Sequence, residues 1–355
     1  MREFASSIVA RPQNLHGGCA GLLQTHDLRA LVVLAGHIAC NCSDVMDQGQ
    51  LWVVVLAAGD GTRLSSLTRA LYGDDRPKQF AVLTGEQSLL QETVSRAAQL
   101  VPLDRVLVVV GVRHEALARE QLAGHPGVDI VVQPKNLDTG PGLLLPLARI
   151  NARDPRARVV FLPSDHHISN PRPLFAAIAA STQDATADRI VLVGVLPDHP
   201  EIEYGWIVRG RQLVRRDGSK AFEVASFCEK PNEATARGLV ARGALWNTFI
   251  SVGPIQTYRA LARQYLPRQA SLLDDYARHL GTPDEHHALA AAYDAMPAAN
   301  FSRDLLAHAR DLAVTPVNAM GWCDWGSPSR VFRTLEGTPH HEALVTRIAS
   351  ARLAS

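Results

Sequence analysis

One stretch, residues 51–64, constrains the fold of this chain more than any other. Its first part, LWVVVL, is a short apolar run rich in β-branched residues, and it stops abruptly at the turn AAGDGTR. An apolar run of this length that is bounded by glycine predicts a buried strand of a parallel sheet rather than a helix. The small residues of the turn let the backbone approach a ligand closely, with amide groups able to face phosphate oxygens.

Two well-known phosphate-binding patterns do not fit this turn. The third glycine of a G-x-G-x-x-G dinucleotide fingerprint would fall at Leu64, and no Gly-Lys-Ser/Thr follows as it would in a Walker A loop. What remains is a glycine turn followed by Arg63, whose guanidinium is a rigid fork of donors suited to phosphate. Taken alone, the turn is equally consistent with an ordinary connection between a strand and a helix.

A second basic segment, RPKQF at residues 76–80, follows closely enough to fold back over the same turn. The order G-x-G-T-R-L, P-K-Q-F and S-L-L-Q-E-T resembles the sugar-1-phosphate nucleotidyltransferases, most closely the mannose-1-phosphate guanylyltransferases. The resemblance runs from about residue 51 to about residue 331, with several separate motifs in the family's order. It implies a nucleotide site that includes Ala57, Ala58, Gly59, Gly61, Thr62, Gln133 and Thr139.

The composition gives the chain almost no net charge. Lys and Arg number 36 against 35 Asp and Glu, a formal charge of +1, so electrostatics favour neither nucleic acid nor an anionic membrane as a partner. The five cysteines, at positions 19, 40, 42, 228 and 323, form neither a disulfide framework nor a zinc pattern, which indicates a reducing, cytoplasmic location. The oligomeric state stays open, and a homo-oligomer is one alternative.

Three regions are expected along the 355 residues. Residues 1–48 are expected to be a disordered or dispensable extension, with Met46 as an alternative start. The apolar run at residues 30–40 is too short to span a bilayer and lies too far from Met1 for a good signal peptide. Residues 49–335 are expected to form the nucleotidyltransferase domain and residues 336–355 a C-terminal helical tail, which predicts a monofunctional protein.

Strand-like and helix-like segments alternate after the glycine turn. Strands are predicted at residues 105–110, 129–132, 158–162 and 189–195, and helices at 88–100, 115–122, 141–150 and from 173. The alternation predicts an α/β fold with a doubly wound, mostly parallel, Rossmann-like sheet. The resemblance implies the nucleotidyltransferase form of this fold, which is similar to GT-A. In such sheets ligands bind beyond the carboxyl ends of the strands.

The alternation weakens from about residue 198. Segments 204–208 and 223–227 predict antiparallel strands that form a smaller lobe on the substrate side. Helices are predicted at residues 233–241, 255–265, 272–280, 285–293 and 303–309, followed by a strand near 312–317.

Two isolated carboxylates stand where a metal-bound phosphate is expected to lie. Asp165 follows directly on the predicted strand at residues 158–162, and Asp324 lies in the segment GWCDWG. Hard divalent cations such as Mg²⁺ take oxygen ligands, typically one or two carboxylates plus substrate phosphates. The resemblance assigns both residues to the metal, and so implies Mg²⁺ as the cofactor. His166 and His167, beside this site, are interpreted as groups that orient their neighbours.

A second set of residues is expected to meet the sugar phosphate. Lys230 is a compact positive charge suited to phosphate, and the preceding Glu229 can accept hydrogen bonds from sugar hydroxyls. On the residues alone, Glu-Lys-Pro is also consistent with a surface turn. The resemblance gives Lys230 the sugar phosphate, Glu229 and Asn247 contacts to the hexose, and Tyr204 with Gly205 the lining of the sugar pocket.

These residues suit the attack of a sugar 1-phosphate oxygen on the α-phosphorus of a nucleoside triphosphate, with release of pyrophosphate. The attacking oxygen is already ionised near neutral pH, so no general base is required. The difficulty is that two anions must meet. Unit charges about 4 Å apart repel by roughly 4 kcal/mol at an effective dielectric constant near 20. Arg63 and Lys78 are therefore assigned to the triphosphate, and with Lys230 and the metal they offset this repulsion.

Several positions depart from the family's pattern. Gln133 stands where the family usually has glutamate before proline, and Phe249 replaces an expected glycine. Trp325 and Pro328 also differ, and the loop at residues 69–77 is longer than usual. Because the segment after Gln133 helps to hold the nucleotide, the identity of the base is the part of the assignment that these departures affect most.

The leading hypothesis is synthesis of GDP-mannose from GTP and mannose 1-phosphate. The alternative within the same class is a uridylyl- or thymidylyltransferase that acts on glucose 1-phosphate. An alternative of another class is a regulatory protein that binds nucleotide sugars without turnover. Retention of five charged groups argues against it, since a pure binding protein does not need all of Arg63, Lys78, Asp165, Lys230 and Asp324.

Overall fold

Eleven strands and eleven α-helices make up the part of the chain that the computed structural model describes, residues 50–181, 186–215 and 217–354. The strands are β1 (Leu51–Leu56), β2 (Val106–Gly111), β3 (Asp129–Gln133), β4 (Arg158–Pro163), β5 (His167–Ile168), β6 (Val191–Val195), β7 (Gly205–Leu213), β8 (Ala221–Glu229), β9 (Leu245–Pro254), β10 (Ala313–Pro316) and β11 (Trp322–Cys323). The helices are α1 (Ser65–Tyr72), α2 (Leu89–Ala97), α3 (Glu115–Gln121), α4 (Thr139–Arg153), α5 (Arg172–Ala180), α6 (Glu233–Ala241), α7 (Ile255–Tyr265), α8 (Pro267–Ala277), α9 (Glu285–Ala295), α10 (Pro328–Leu335) and α11 (Pro339–Ala354). The predicted extension at residues 1–48 lies outside the described residues.

Nine of these strands form one mixed sheet in the order β3-β2-β1-β4-β9-β6-β10-β8-β7. Strands β3, β2, β1 and β4 are parallel to one another, and β10 is parallel to β6. Strand β9 is antiparallel to both β4 and β6, and β8 and β7 pair antiparallel at the far edge. The prediction of a doubly wound α/β sheet with an antiparallel lobe is confirmed. The antiparallel part reaches further into the sheet than expected, because β9 lies between β4 and β6.

Both faces of the sheet are buried at its central strands, as the continuous apolar run of β1 requires. Leu51, Val53 and Val55 pack into the core on one face, and Trp52 and Val54 into the core on the other. The first core includes residues of α2, α3, α5 and α6, and the second includes residues of α4, α7, α8 and α9. The helices thus cover both sides of the central strands, and the ends of these strands are left uncovered, where a binding site can form.

The predicted elements agree with the structure over most of the chain, although helices α1 and α10 and the short strands β5 and β11 were not predicted. Helices α6 and α7 have the predicted bounds, and β7, β8 and β10 lie where strands were expected. The helix predicted at residues 303–309 begins two residues earlier and is a π-helix, Phe301–Leu306, which Asn300 caps. Strand β9 was not predicted at all.

A third core joins the C-terminal helices to α1. It contains Leu64 and Leu67 from the start of the domain, and Trp325, Leu335 and Leu344 from its end. Helix α11 lies within the predicted tail at residues 336–355 and contributes Leu344 to this core. The boundary between domain and tail at residues 335 and 336 stays a prediction. Among the described residues, no helix is long and apolar enough to cross a membrane.

Candidate functional site

The glycine turn after β1 is shaped by contact with the second basic segment. Gly61 has a left-handed backbone, with φ of 61°, and a Cβ atom there would lie 2.8 Å from the backbone nitrogen of Lys78 and from the Cα of Pro77. Only glycine therefore fits this position. The amide of Gln79 donates to the carbonyl oxygen of Gly59 at 2.7 Å. The two segments fold together as predicted.

A cavity of about 430 Å³ opens beside this turn, at the edge where β1, β2, β3 and β4 end. Strand β9 enters the sheet at the same edge, since its Asn247 pairs with Gly194 near the end of β6. The first residue of β7, Gly205, pairs with the last residue of β8, Glu229, and both also line the cavity. The topology therefore brings segments from distant parts of the sequence to one place.

Thirteen of the sixteen predicted site residues line this cavity. They are Ala57, Ala58, Gly59, Arg63, Gln133, Thr139, Asp165, Tyr204, Gly205, Glu229, Lys230, Asn247 and Asp324. The other three are not among its lining residues: Gly61 packs on residues 77–78, Thr62 begins a short 3-10 turn, and Lys78 is 4 % exposed.

Lys78 joins the two predicted metal ligands. Its ammonium donates to the backbone carbonyl oxygens of Asp324 at 2.6 Å and Trp325 at 3.3 Å. The same ammonium lies 3.1 Å from the carboxylate of Asp165. Lys78 therefore fixes the segment that carries Asp324 against the loop that carries Asp165. Its predicted contact with the triphosphate stays a prediction.

The carboxylate of Asp324 is held by several donors at once. Its Oδ1 accepts hydrogen bonds from the Tyr204 hydroxyl at 2.7 Å and the Gly326 amide at 2.9 Å. Nη1 of Arg330 donates to Oδ1 at 3.0 Å and to Oδ2 at 3.1 Å. Arg63 lies further away, with Nη2 3.7 Å from Oδ2.

The surrounding charges keep both aspartates ionised. Burial alone would raise the pKa of Asp165, but Lys78 and His166 outweigh it and hold that pKa below its ordinary value. The pKa of Asp324 is likewise lowered, because His166, the Tyr204 hydroxyl and Lys78 together outweigh the effect of burial. Both groups are therefore anions at neutral pH, as metal ligands must be.

The donor set fits a Mg²⁺ ion. In the part of the chain that the structure describes, no cluster of three or more acidic, histidine or cysteine side chains forms a complete metal site. Mg²⁺ does not need one, since it commonly binds one or two carboxylates and takes its other ligands from water and substrate phosphates. Asp165, whose side chain is 34 % exposed, faces the cavity directly, whereas both oxygens of Asp324 already accept hydrogen bonds from Arg330.

Known proteins show similarity over most of this chain. A family model described as "Nucleotidyl transferase" matches residues 52–337. The chain belongs to the nucleotidyl transferase family. A mannose-1-phosphate guanylyltransferase of Escherichia coli K12 is 31 % identical over 312 residues, which are 83 % of this chain and 63 % of the relative. The xanthan biosynthesis protein XanB of Xanthomonas campestris (strain B100) is 32 % identical over 299 residues, which are 81 % of this chain and 61 % of the relative.

The fold of this nucleotidyl transferase domain is also found among solved structures. A protein of Thermus thermophilus, named as a mannose-1-phosphate geranyltransferase, superposes with a TM-score of 0.70 at 28 % identity, covering 82 % of this chain and 81 % of the other. A UTP-bound UGPase of Acinetobacter baumannii, at 15 % identity and a TM-score of 0.51, shares the fold over 84 % of this chain and 98 % of its own. The chain spans about three fifths of the length of the curated relatives described above.

The backbone of the nucleotidyl transferase site is strained at four places. Asp138, Lys230, Phe249 and Trp325 all have positive φ, between 46° and 66°. The first three line the cavity, and Trp325 follows Asp324 directly. Left-handed backbone is costly for residues other than glycine, and such strain clusters at functional sites. A positive φ at Phe249 agrees with the glycine that the resemblance led us to expect at this position.

Sequence reasoning missed four residues around the cavity. Asn300 and Ser302 line the cavity. Two sets of hydrogen bonds hold their segment there. The Asn300 side chain donates to both carboxylate oxygens of Asp138, and the Phe301 backbone amide donates to the hydroxyl of Thr139. Glu203 also lines the cavity, and Arg330 lies in its wall, where it contacts Asp324. No pattern in the sequence distinguishes Arg330 from a surface arginine of an amphipathic helix. Glu203 could have been identified as a site residue, because it directly precedes Tyr204 in the sequence.

Gly326→Ala is expected to disturb this arrangement. A Cβ atom at Gly326 would lie 2.7 Å from Nη1 of Arg330 and 2.9 Å from Nη1 of Arg63. Arg63 can swing away, but Arg330 is buried and held by carboxylates, so we expect the free energy of unfolding to fall by about 1–3 kcal/mol. Urea denaturation measures it. The control is Gly238→Ala in helix α6, where a Cβ atom meets nothing within 4 Å. This control should leave stability unchanged or raise it slightly, and equal losses in both variants would contradict the account.

Proposed function

We propose that this chain is a sugar-1-phosphate nucleotidyltransferase that makes a nucleoside-diphosphate sugar, with GTP and mannose 1-phosphate as its leading substrates. The observation that carries the proposal is the convergence of Arg63, Asp165, Lys230 and Asp324 on one cavity. Two of these groups are cations suited to phosphate and two are carboxylates suited to a divalent cation. The similarity to a guanylyltransferase that acts on mannose 1-phosphate supports the choice of GTP and mannose.

The order of the strands suggests how the two substrates lie in the cavity. Gln133 ends β3 at one side, while Gly205 and Glu229 belong to β7 and β8 at the other. The Asp165 loop follows β4, which lies between these two sides. Adjacent strands lie roughly 4.8 Å apart, so the cavity has room for a base, phosphates and a sugar in series. We infer that the base binds near Gln133 and the hexose near Glu229 and Asn247.

In the proposed reaction an oxygen of the sugar phosphate attacks the α-phosphorus of the nucleoside triphosphate, and pyrophosphate leaves. Lys230 holds the incoming phosphate, Arg63 holds the triphosphate, and Lys78 keeps Asp165 in place. Asp165 and Asp324 would hold Mg²⁺, which, when bound, neutralises charge on the phosphate oxygens. Positive charges placed where negative charge develops on the phosphates stabilise the transition state of such a reaction.

The experiment that tests the proposal is a matrix of substrates. Pyrophosphate release is measured for four nucleoside triphosphates, GTP, UTP, dTTP and ATP, against mannose 1-phosphate and glucose 1-phosphate, with Mg²⁺ present. We expect turnover with GTP and mannose 1-phosphate. Turnover only with UTP or dTTP would overturn the guanylyl assignment, and nucleotide binding without any turnover would favour the regulatory alternative. The cytoplasmic location and the absence of nucleic-acid and membrane partners remain predictions from the composition.

One observation keeps the uridylyl or thymidylyl alternative open. Gln133 is 2 % exposed and lines the cavity, and its Nε2 has no hydrogen-bond partner among the described residues. A side-chain amide offers one acceptor and one donor side by side. That pair matches N3–H and a carbonyl of uracil or thymine as well as N1–H and O6 of guanine. A carboxylate, which only accepts, matches N1–H and N2–H of guanine and is repelled by a pyrimidine carbonyl. An amide at this position therefore permits both kinds of base.

Gln133→Glu is expected to restrict the enzyme to guanine. With a carboxylate at residue 133, kcat/KM for UTP and dTTP should fall about 10–100-fold relative to GTP, the usual worth of one good pair of hydrogen bonds to a base. The measurement is kcat/KM for each nucleotide in the variant and the wild type. Gln212→Glu, at an exposed position of β7, is the matched control. Unchanged ratios in Gln133→Glu would show that Gln133 does not contact the base.

A further inference from the structure

Arg330 is a buried cation that the proposed reaction does not yet use. It lies in the first turn of α10, its side chain is 9 % exposed, and its guanidinium carbon lies 4.8 Å from the centre of the Tyr204 ring. Nη2 donates to Glu201 at 2.6 Å and to Glu203 at 2.8 Å, while Nη1 donates to Asp324. One guanidinium thus pairs with three carboxylates at the wall of the cavity.

Two of these carboxylates are shared with Arg63. Glu203 lies 2.8 Å from Nη2 of Arg330 and 3.5 Å from Nη1 of Arg63. Oδ2 of Asp324 lies 3.1 Å from Arg330 and 3.7 Å from Arg63. Arg330 is the closer partner in both cases, and the Arg63 side chain is 55 % exposed. Arg63 is therefore tethered loosely, whereas Arg330 is fixed.

The negative charges around Arg330 affect both the triphosphate and Arg63. Glu203 and Asp324 line the cavity in which the triphosphate is expected to bind, whereas Glu201 is not among its lining residues. Without a fixed cation beside them, Glu203 and Asp324 would repel the polyphosphate, and they would also retain Arg63 by pairing with it. Arg330 keeps these acids partly neutralised when Arg63 leaves them, because its own contacts do not depend on Arg63.

We propose that Arg330 is a positioning residue that allows Arg63 to move from Glu203 and Asp324 to the phosphates of a nucleoside triphosphate. Glu203 holds Arg63 at the cavity wall before the substrate binds and competes with the substrate for it. Arg330 anchors Glu203 and Asp324 throughout, so the transfer of Arg63 leaves no unpaired acid at the phosphate site. This inference rests on the proposed function, since it requires a triphosphate in the cavity.

The test compares nucleotide affinity in matched glutamate variants that keep Arg330. Dissociation constants for GTP, and in parallel for UTP, are measured by calorimetry at low ionic strength with Mg²⁺ present. Glu203→Gln removes the competitor for Arg63 and should tighten binding about 3–5-fold, the size of one partly exposed ion pair. Glu201→Gln is the control, because the described contacts of Glu201 include Arg330 but not Arg63, and it should change affinity less than about 2-fold. Equal effects of the two substitutions, or no effect of either, would overturn the proposal.

A second arm removes the anchor itself. Arg330→Met should weaken nucleotide binding at least about 10-fold, because acids at the phosphate site lose their fixed cation. The double variant Arg330→Met/Glu203→Gln should recover most of that affinity, which a purely structural role would not predict. Persistent weak binding in a folded double variant would count against the proposal. If Arg330→Met does not fold, the comparison of Glu203→Gln with Glu201→Gln still tests the proposal. A wild-type protein that binds neither nucleotide would instead refute the proposed function.

Discussion

Asp165→Asn is expected to lower kcat by about 10²–10³-fold or more, the largest loss of activity that we predict for a single substitution. The variant keeps the size of the side chain and removes the negative charge that a Mg²⁺ ion needs. The described contacts of the carboxylate are with Lys78 at 3.1 Å and His166 at 3.6 Å. Lys78 retains two backbone carbonyl acceptors, so the fold should persist with a stability loss below about 1.5 kcal/mol.

The measurement combines steady-state kinetics with a Mg²⁺ titration and urea denaturation. Asp129→Asn is the matched control, because Asp129 is 28 % exposed, pairs with Arg149 and Arg153, and begins β3 at the edge of the sheet away from the cavity. This control should keep kcat and its dependence on Mg²⁺. Activity of Asp165→Asn within a few fold of the wild type, at the same Mg²⁺ concentration, would remove Asp165 from the metal site.

Lys78→Met is expected to cost both stability and nucleotide binding. Lys78 is 4 % exposed, and its ammonium satisfies the carbonyls of Asp324 and Trp325 and the carboxylate of Asp165. Methionine fills a similar volume but leaves these three acceptors without a donor. Leaving a buried hydrogen-bond acceptor without its donor typically costs about 1–3 kcal/mol. We expect a loss of that size in the free energy of unfolding.

Urea denaturation measures this stability, and calorimetry on the folded variant measures GTP binding. The matched control for stability alone is Lys135→Met, since Lys135 is 53 % exposed and pairs with Asp294 at the surface. Surface ion pairs contribute about 0–1 kcal/mol, so the control should remain close to the wild type. A stability loss below about 1 kcal/mol in Lys78→Met would show that the ammonium does not hold the two aspartate segments together.

The sequence was sufficient to predict the parallel half of the sheet and most of the cavity. Strands such as β1 are continuous apolar runs, because both of their faces are buried, and this pattern is visible without coordinates. The ends of parallel strands meet at one edge, so motifs at those ends could be expected to converge. Asp165 follows β4 at that edge, as this rule predicts. Asp324 follows β11, which pairs antiparallel with β5 in a separate two-stranded sheet, so its place beside Asp165 was expected from the resemblance alone.

Other features could not be read from the sequence for identifiable physical reasons. Strand β9 contains Asn247 and Thr248 and bends at Phe249, whose φ is 61°, so it shows neither a clean alternation nor an apolar run. Lys78 was assigned to the triphosphate, and nothing in the sequence indicated that its side chain is buried. Its burial depends on carbonyl groups 246 and 247 residues away, which local sequence does not show. In the same way, Arg330 is held by Glu201 and Glu203, which lie on a different segment of the chain that local sequence does not reveal.

The most direct test of the account is a crystal structure with GDP-mannose and Mg²⁺ bound, with UDP-glucose soaked in parallel. We expect the diphosphate to lie between Arg63 and Lys230, the base to contact Gln133, and the hexose to contact Asn247 and Glu229. Density for Mg²⁺ should touch Asp165. A nucleotide sugar bound away from this cavity, or bound in it without any contact to Arg63, Lys230 or Asp165, would contradict the claim that these charges assemble to join two phosphorylated substrates.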